Sequence, residues 1–128
     1  MPTSTHHRWT DMEPEQMNPL VTRQFVSGVN IMLARIVLKK GAHVPLHSHM
    51  NEQVSHVVEG TLKFVLEGKE VTMRAGEILC IPPHVPHEVF ALEDSVALDI
   101  FSPPRQDWIE GNDAYLRAGA PAGAPEKA

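Results

Sequence analysis

The chain has 128 residues, of which 42% are hydrophobic and 21% charged, a composition typical of a globular protein with a single core. Asp and Glu number 16 against 11 Lys and Arg, and this net charge of −5 excludes nucleic-acid binding as the main function and disfavours anionic membranes. No apolar stretch approaches the roughly 18 residues of a membrane-spanning helix, and the polar N-terminus predicts no secretory signal. The single cysteine, Cys80, cannot form an intrachain disulfide, which favours a reducing cytoplasm.

Residues 1–19 are predicted to form an irregular arm. Pro2, Pro14 and Pro19 interrupt any regular element, and the polar residues between them offer little surface to bury. Trp9 is the one large side chain that could anchor the arm. Because an arm of this length has no obvious place on a small domain, we expect a homodimer.

Residues 20–108 have the pattern of one antiparallel β-domain. Short runs rich in β-branched or alternating apolar residues recur every 8–12 residues or so, with Gly or Pro at most turns, which is typical of a sandwich or barrel. The predicted strands include 29–38, 54–59, 62–66, 71–74, 78–81, 85–92 and 96–101.

The C-terminal segment, 109–128, is expected to lie outside this domain. Residues 107–117 have a weak helical pattern that Gly111 interrupts, and the small residues and prolines of 116–128 predict a disordered tail.

Four side chains in the middle of the domain have the spacing of a metal site. His47 and His49 are two residues apart, so in a strand both point to the same face, and Gln53 shares their parity. His87 follows a proline-rich turn and is the fourth candidate. Three imidazoles and one amide oxygen would bind a divalent transition metal and leave coordination positions open.

The other histidines fit this site less well. His56 has the opposite parity to Gln53 and is expected to face away, while His43 is predicted to lie in a loop before the site. His84 is a second-best ligand that more naturally lines the mouth of the site. The remaining pair, His6 and His7, lies in the arm and is expected to be solvated.

The last predicted strand has a second face unlike a packed core. Ala97, Asp99 and Phe101 alternate with apolar residues and would form the wall of a cavity, in which an unpartnered carboxylate would be costly. Arg105 is the nearest candidate partner of Asp99. The alternative is that Asp99 is solvated at the rim and that Arg105 pairs with Asp107.

The two histidine segments resemble the motifs of the cupins. Gly41-x5-His47-x-His49-x3-Gln53-x6-Gly60 is similar to the first motif, and Gly76-x5-Pro82-x-His84-x2-His87 to the second. The resemblance implies a small jelly-roll β-barrel that holds one metal ion. Gln53 stands where the first motif usually has Glu, although Glu52 could bind if the turn were shorter. His84 and Ala91 replace the Gly and Asn of the second motif.

Within the cupins, the chain resembles the KdgF-like proteins, which convert 4,5-unsaturated uronates from pectin or alginate breakdown into linear ketonised sugars. The resemblance implies His47, His49, Gln53 and His87 as metal ligands, and Asp99, Phe101 and Arg105 as the residues that act on the substrate. Four neutral ligands would leave the ion, such as Ni, Zn, Mn or Fe, its full +2 charge, which favours a small anionic substrate. The alternatives are a metal-dependent dioxygenase or lyase on another small molecule, and a non-catalytic sugar-binding protein.

Overall fold

The computed structural model describes residues 3–117, which form ten strands, a 3₁₀ turn at Trp9–Asp11 and two short helices. The strands are β1 (Glu15–Asn18), β2 (Val21–Ser27), β3 (Met32–Leu38), β4 (His43–His47), β5 (Glu52–Glu59), β6 (Thr61–Leu66), β7 (Lys69–Arg74), β8 (Ile78–Ile81), β9 (His87–Ala91) and β10 (Ser95–Ser102). The helices are α1 (Gln106–Ile109) and α2 (Ala114–Arg117).

The strands form two antiparallel sheets, as the sequence predicted. The order is β1-β2-β3-β10-β5-β8 in the larger sheet and β4-β9-β6-β7 in the smaller one. Side chains from both sheets contribute to one hydrophobic core, which makes this an all-β jelly-roll barrel.

Alternation along the strands decides which residues face the interior. In β3 every second residue from Met32 to Leu38 is buried, and in β6 Leu62, Phe64 and Leu66 are buried between exposed or half-buried neighbours. Since successive side chains point to opposite faces, a polar residue with the same parity as these core residues must also point inward. The functional side chains occupy such positions.

Three strands, β1, β2 and β4, were not predicted, and for two of them the reason is that proline disfavours strands. β4 contains Pro45, but it is an edge strand whose pairing with β9 is irregular between Val44 and His47, so the missing amide hydrogen is tolerated. β1 lies in the segment expected to be irregular, directly after Pro14, and it too is an edge strand, paired with β2.

The N-terminal arm contacts its own barrel. The Gln24 side-chain amide donates hydrogen bonds to the backbone oxygens of Trp9 (2.7 Å) and Met12 (2.8 Å), which hold the arm against β2. An arm without a place on the barrel was one reason for expecting a dimer, and that reason no longer applies. The other reason, that small cupins often pair through N-terminal strands, is not tested by these contacts. The homodimer remains a prediction.

The C-terminal segment also packs on the barrel as far as it is described. The backbone after Ser102 turns back through α1 and α2, separated by Gly111, and Trp108 and Leu116 join the core. The tail predicted to be disordered lies, from residue 118 onward, outside the described residues. Between residues 3 and 117 no helix is long and apolar enough to cross a membrane.

Gly60, in the β5–β6 turn, should be the least replaceable glycine of the barrel. Its φ is +84°, and a Cβ there would collide with the backbone oxygen of Asp94. Gly60→Ala should lower the free energy of unfolding by about 2–5 kcal/mol, measured by urea denaturation. Gly68→Ala is the matched control, because Gly68 has a φ of +73° with open space around it, and it should cost about 1 kcal/mol. Equal losses in the two variants would contradict the collision.

Candidate metal centre and active site

Three histidine side chains converge inside the barrel. His47 ends β4 and lies opposite His87 at the start of β9, while His49 follows in the connection to β5. One ring nitrogen from each lies within 4.8 Å of the other two. The three histidines selected from the sequence spacing are therefore the three that the fold brings together.

Each of these imidazoles is oriented by a backbone carbonyl group two residues away. In all three rings Nδ1 is the atom that contacts the carbonyl oxygen, so Nδ1 carries the hydrogen and Nε2 keeps its lone pair. The bonds join His47 to Pro45 (2.8 Å), His49 to Asn51 (3.0 Å) and His87 to Val85 (2.8 Å).

One donor atom of the centre has no hydrogen-bond partner among the described residues. His87 Nε2 is fully buried and accepts no hydrogen bond from any described residue. A buried, unpaired acceptor costs about 1–3 kcal/mol, and a bound cation would satisfy it. The donor set therefore fits a metal ion.

The three rings are neutral at physiological pH. Burial is the largest cause that lowers each pKa, to about 3 for His47, to about 4 for His49, and below the usual value for His87. The neighbouring imidazoles and the Arg105 guanidinium act in the same direction on His47. Neutral imidazole is the form that binds metal.

Gln53 supplies an oxygen to the same point. Its side-chain amide nitrogen donates to the Ser55 hydroxyl (2.8 Å), which directs the amide oxygen to His49 Nε2 at 3.1 Å. Gln53 is 5% exposed, whereas Glu52 is exposed on the opposite face of β5. The structure thus places Gln53, rather than Glu52, beside the histidines.

The wall strand β10 faces this centre as its alternation predicted. Ala97 and Phe101 are buried, and Asp99 lies between them and lines the same cavity as His47 and Gln53. Burial raises the pKa of Asp99 to about 6, although a hydrogen bond from Ser55 and the charge of Arg105 oppose the shift. With this pKa, about one Asp99 carboxyl group in ten carries a proton at pH 7.

Arg105 lines the cavity but does not pair with Asp99. Its Nε and Nη2 donate to the two carboxylate oxygens of Asp107 at 2.9 and 2.7 Å, the alternative that the sequence left open. Nη2 also donates to the Tyr115 hydroxyl at 2.7 Å. Arg105 is 1% exposed and lies over the rings of Phe101 and Trp108.

Sequence reasoning missed two aromatic residues of the site. Tyr115 stacks on the His47 ring, with 4.4 Å between ring centroids, and its hydroxyl accepts a hydrogen bond from Trp108 Nε1 at 2.9 Å. Tyr115 is the only tyrosine of a chain with 5% aromatic residues. A single tyrosine in the weakly helical segment after Arg105 was the only feature of the sequence that could have indicated a role in the site.

The other histidines lie away from the centre. His56 is on the outer face of β5, and His43 lies in β4, where it contacts Glu88 and stacks on Phe90. His84 is exposed, and its backbone amide donates to the carbonyl group of His49 (2.8 Å). It therefore supports the loop that carries His49 and does not enter the cluster.

The sequence and the fold match known proteins. A family model described as "Cupin domain" matches residues 34–101, more than half of the chain. The pectin degradation protein KdgF of Dickeya dadantii is 28% identical over 98 residues, which cover 74% of this chain and 89% of that protein.

Two further matches extend this likeness. H2HPP isomerase of Bacillus subtilis is 31% identical over 109 residues, which cover 76% of this chain but only 46% of that protein. The crystal structure of KdgF from Halomonas sp. superposes with a TM-score of 0.79 at 28% identity, and the match covers 83% of this chain and 99% of that one.

Metal content tests the ligand assignment. Replacing His47 and His49 together by Ala should reduce the metal from one equivalent to a trace, because two of four donors are lost. His56→Ala, on the outer face of β5, is the control and should keep one equivalent. The measurement is elemental analysis of purified protein, and a full equivalent in the double variant would refute the assignment.

Asp99 should make the metal-free protein less stable as the pH rises. The unfolded chain loses this proton near pH 3.8 and the folded one near 6, so the stabilisation is complete below 3.8 and is lost as the pH rises through 6. The loss is at most about 3 kcal/mol, and Asp99→Asn should escape it. Urea denaturation after chelation, at pH 4 and 7, should show the variant gaining on the wild type. A constant difference between the two proteins would contradict the raised pKa.

Proposed function

This chain belongs to the cupin family, and on that premise we propose that it is a metal-dependent enzyme that opens and ketonises 4,5-unsaturated uronates. The observation that carries the proposal is the shared cavity of the histidine centre, Asp99 and Arg105. One wall supplies neutral metal donors, another a carboxyl group that is partly protonated at neutral pH, and a third a buried cation. The similarity to two KdgF proteins supports the same substrate class.

His47, His49, Gln53 and His87 would hold the ion. None of the four ligands carries a charge, so a divalent transition metal such as Ni, Zn, Mn or Fe would keep its +2 charge and attract carboxylate and hydroxyl oxygens. When bound, the ion would supply Lewis-acid polarisation to these substrate oxygens.

The reaction is an isomerisation that moves one proton. A proton is added at C4, and the electrons of the C4=C5 bond form the new C4–H bond. The bond between C1 and the ring oxygen breaks, which leaves that oxygen as the C5 ketone. The C1 hydroxyl releases its proton as C1 becomes an aldehyde, so that no water, oxidant or reductant is consumed.

Asp99 is the residue suited to move this proton. Its pKa of about 6 keeps part of the carboxyl population protonated at neutral pH, as an acid that donates to C4 requires. The carboxylate left after donation can take up the proton released from the C1 hydroxyl. The same group would thus return to its starting state in each turnover.

Arg105 and Phe101 would hold the substrate in place. The Arg105 guanidinium is buried in the cavity wall, where a substrate carboxylate would find a cation in a weakly screened environment. The Phe101 ring lies edge-on to His49, with centroids 5.8 Å apart, and presents an apolar surface to the sugar ring.

Asp99→Asn should lower the turnover of a 4,5-unsaturated galacturonate by about 10²–10⁴-fold while the metal content stays unchanged. The loss of the ultraviolet absorbance of the conjugated C4=C5 bond measures the rate. The control is Glu88→Gln, which removes a carboxylate from the outer face of the barrel. Its turnover should equal that of the wild type. If metal-loaded protein accelerates neither this substrate nor the unsaturated product of alginate, the proposal fails. The dioxygenase alternative would then be tested by oxygen uptake.

Arg105→Lys should act mainly on substrate affinity. Lys keeps the charge but loses the planar fork, so the KM should rise about tenfold or more while kcat changes little. Steady-state kinetics on the same substrate separates the two constants. A fall in kcat at unchanged KM would instead assign Arg105 to the transition state.

A further inference from the structure

Residues 112–117, which we call the C-terminal plug, pack over the cavity of the histidine centre and narrow it. Tyr115 and Leu116 of the plug line this cavity together with strand residues of both sheets. The space left beneath them is about 50 Å³. Pockets that hold small molecules usually measure about 300–1,000 Å³, so a uronate has no room while the plug is in place.

Tyr115 occupies a position that a substrate would use. Its hydroxyl oxygen accepts hydrogen bonds from Arg105 Nη2 (2.7 Å) and Trp108 Nε1 (2.9 Å), and its ring covers one face of His47. A carboxylate bound end-on across Nη1 and Nη2 of Arg105 would need the Nη2 hydrogen that the Tyr115 hydroxyl accepts. Tyrosine hydroxyl and substrate carboxylate therefore compete for one site.

Side chains far away in sequence hold the plug in place. Asp113, fully buried, accepts a hydrogen bond from Arg23 Nη1 at 2.6 Å, and Arg23 also contacts Glu15 in β1. The side-chain amide of Asn18 donates to the backbone oxygen of Leu116 at 3.2 Å. Because α2 is a single turn, it has no helical stability of its own and depends on these contacts.

We propose that the plug is an autoinhibitory segment, and that Tyr115 is displaced from Arg105 whenever a uronate binds. The choice of a uronate rests on the proposed function, whereas the closure of the metal centre by Tyr115 does not. The apparent affinity for the substrate is then the intrinsic affinity reduced by the fraction of molecules whose plug is open. Opening exposes Arg105 and His47 together, so carboxylate binding and access to the metal are governed by one movement.

The first test needs no substrate. Protein loaded with Zn²⁺ is mixed with excess chelator, and the rate of zinc transfer is followed by the absorbance of the chelate. If the chelator reaches the ion only through the open mouth, and fewer than about one molecule in ten is open, Tyr115→Ala should release zinc at least about tenfold faster than the wild type. An unchanged rate would show that the plug does not close the centre, and the proposal would be overturned.

Tyr115→Phe is the intermediate variant, because it removes the hydrogen bonds from Arg105 and Trp108 but keeps the ring on His47. Its zinc release should lie between that of the wild type and that of Tyr115→Ala, because the plug opens more often without these bonds. This variant keeps the test decisive if Tyr115→Ala does not fold, through the binding measurement that follows.

The second test measures binding of saturated D-galacturonate, which has no C4=C5 bond to react, by titration calorimetry. Tyr115→Phe should bind it about tenfold more tightly than the wild type, since Arg105 regains the donor that the hydroxyl held. Weaker binding would make Tyr115 a substrate contact, and equal binding would place the sugar outside the plugged cavity, in the groove beside His49 and Pro103. Either result overturns the proposal. If no variant binds the sugar, the proposed function loses its substrate class, and zinc release alone decides whether the plug closes the site.

Discussion

The organisation of this barrel depends on three imidazoles, one buried and two half-buried, that all keep their lone pairs turned to one point. Burial makes each ring neutral, and a carbonyl group two residues away holds each Nδ1 hydrogen, so no ring can turn without losing its bond. In the absence of a cation, His87 Nε2 is left without a partner in the described part of the chain. The fold thus carries a local penalty of about 1–3 kcal/mol that a metal ion would relieve, and metal binding should stabilise the protein accordingly.

The ligands of this centre are neutral, so they leave the charge of a bound metal ion uncompensated. A Glu in place of Gln53 would cancel part of the charge of the ion, and the amide oxygen does not. Asp99, with a pKa of about 6, is mostly ionised at neutral pH and can cancel only one unit of charge. Arg105 adds a second cation whose own carboxylate partner, Asp107, lies outside the cavity lining. The cavity therefore has an excess of positive charge once a metal is bound, and an anionic ligand restores the balance.

Local periodicity predicted much of this arrangement, and long-range contacts account for what it missed. Alternation in β10 turned Asp99 inward, because it depends only on the two-residue repeat of a strand. Parity grouped His47, His49 and Gln53 correctly, but in the structure His49 lies in the connection between β4 and β5, so this connection and not one strand brings the three together. The register of β5 with β10, which pairs Gln53 with Phe101, was needed to separate Gln53 from Glu52. The edge position that lets β4 tolerate Pro45 is likewise a property of the assembled sheet, invisible in the strand itself. The partner of Arg105 was left open, since Asp107 and Asp99 are both close to it in sequence.

The C-terminal plug is held by a buried ion pair between residues far apart in the chain, and a contact of this kind cannot be predicted from local sequence patterns. Arg23 and Asp113 are 90 residues apart, and neither lies in a pattern that points to the other. Burial alone would raise the pKa of Asp113, but hydrogen bonds from Arg23 and Arg117 lower it, so the carboxylate stays charged. Apolar contacts could hold the segment in several registers with similar energy, whereas breaking a buried ion pair costs about 3–5 kcal/mol. The pair therefore selects the one register in which Tyr115, two residues further along, reaches both His47 and Arg105.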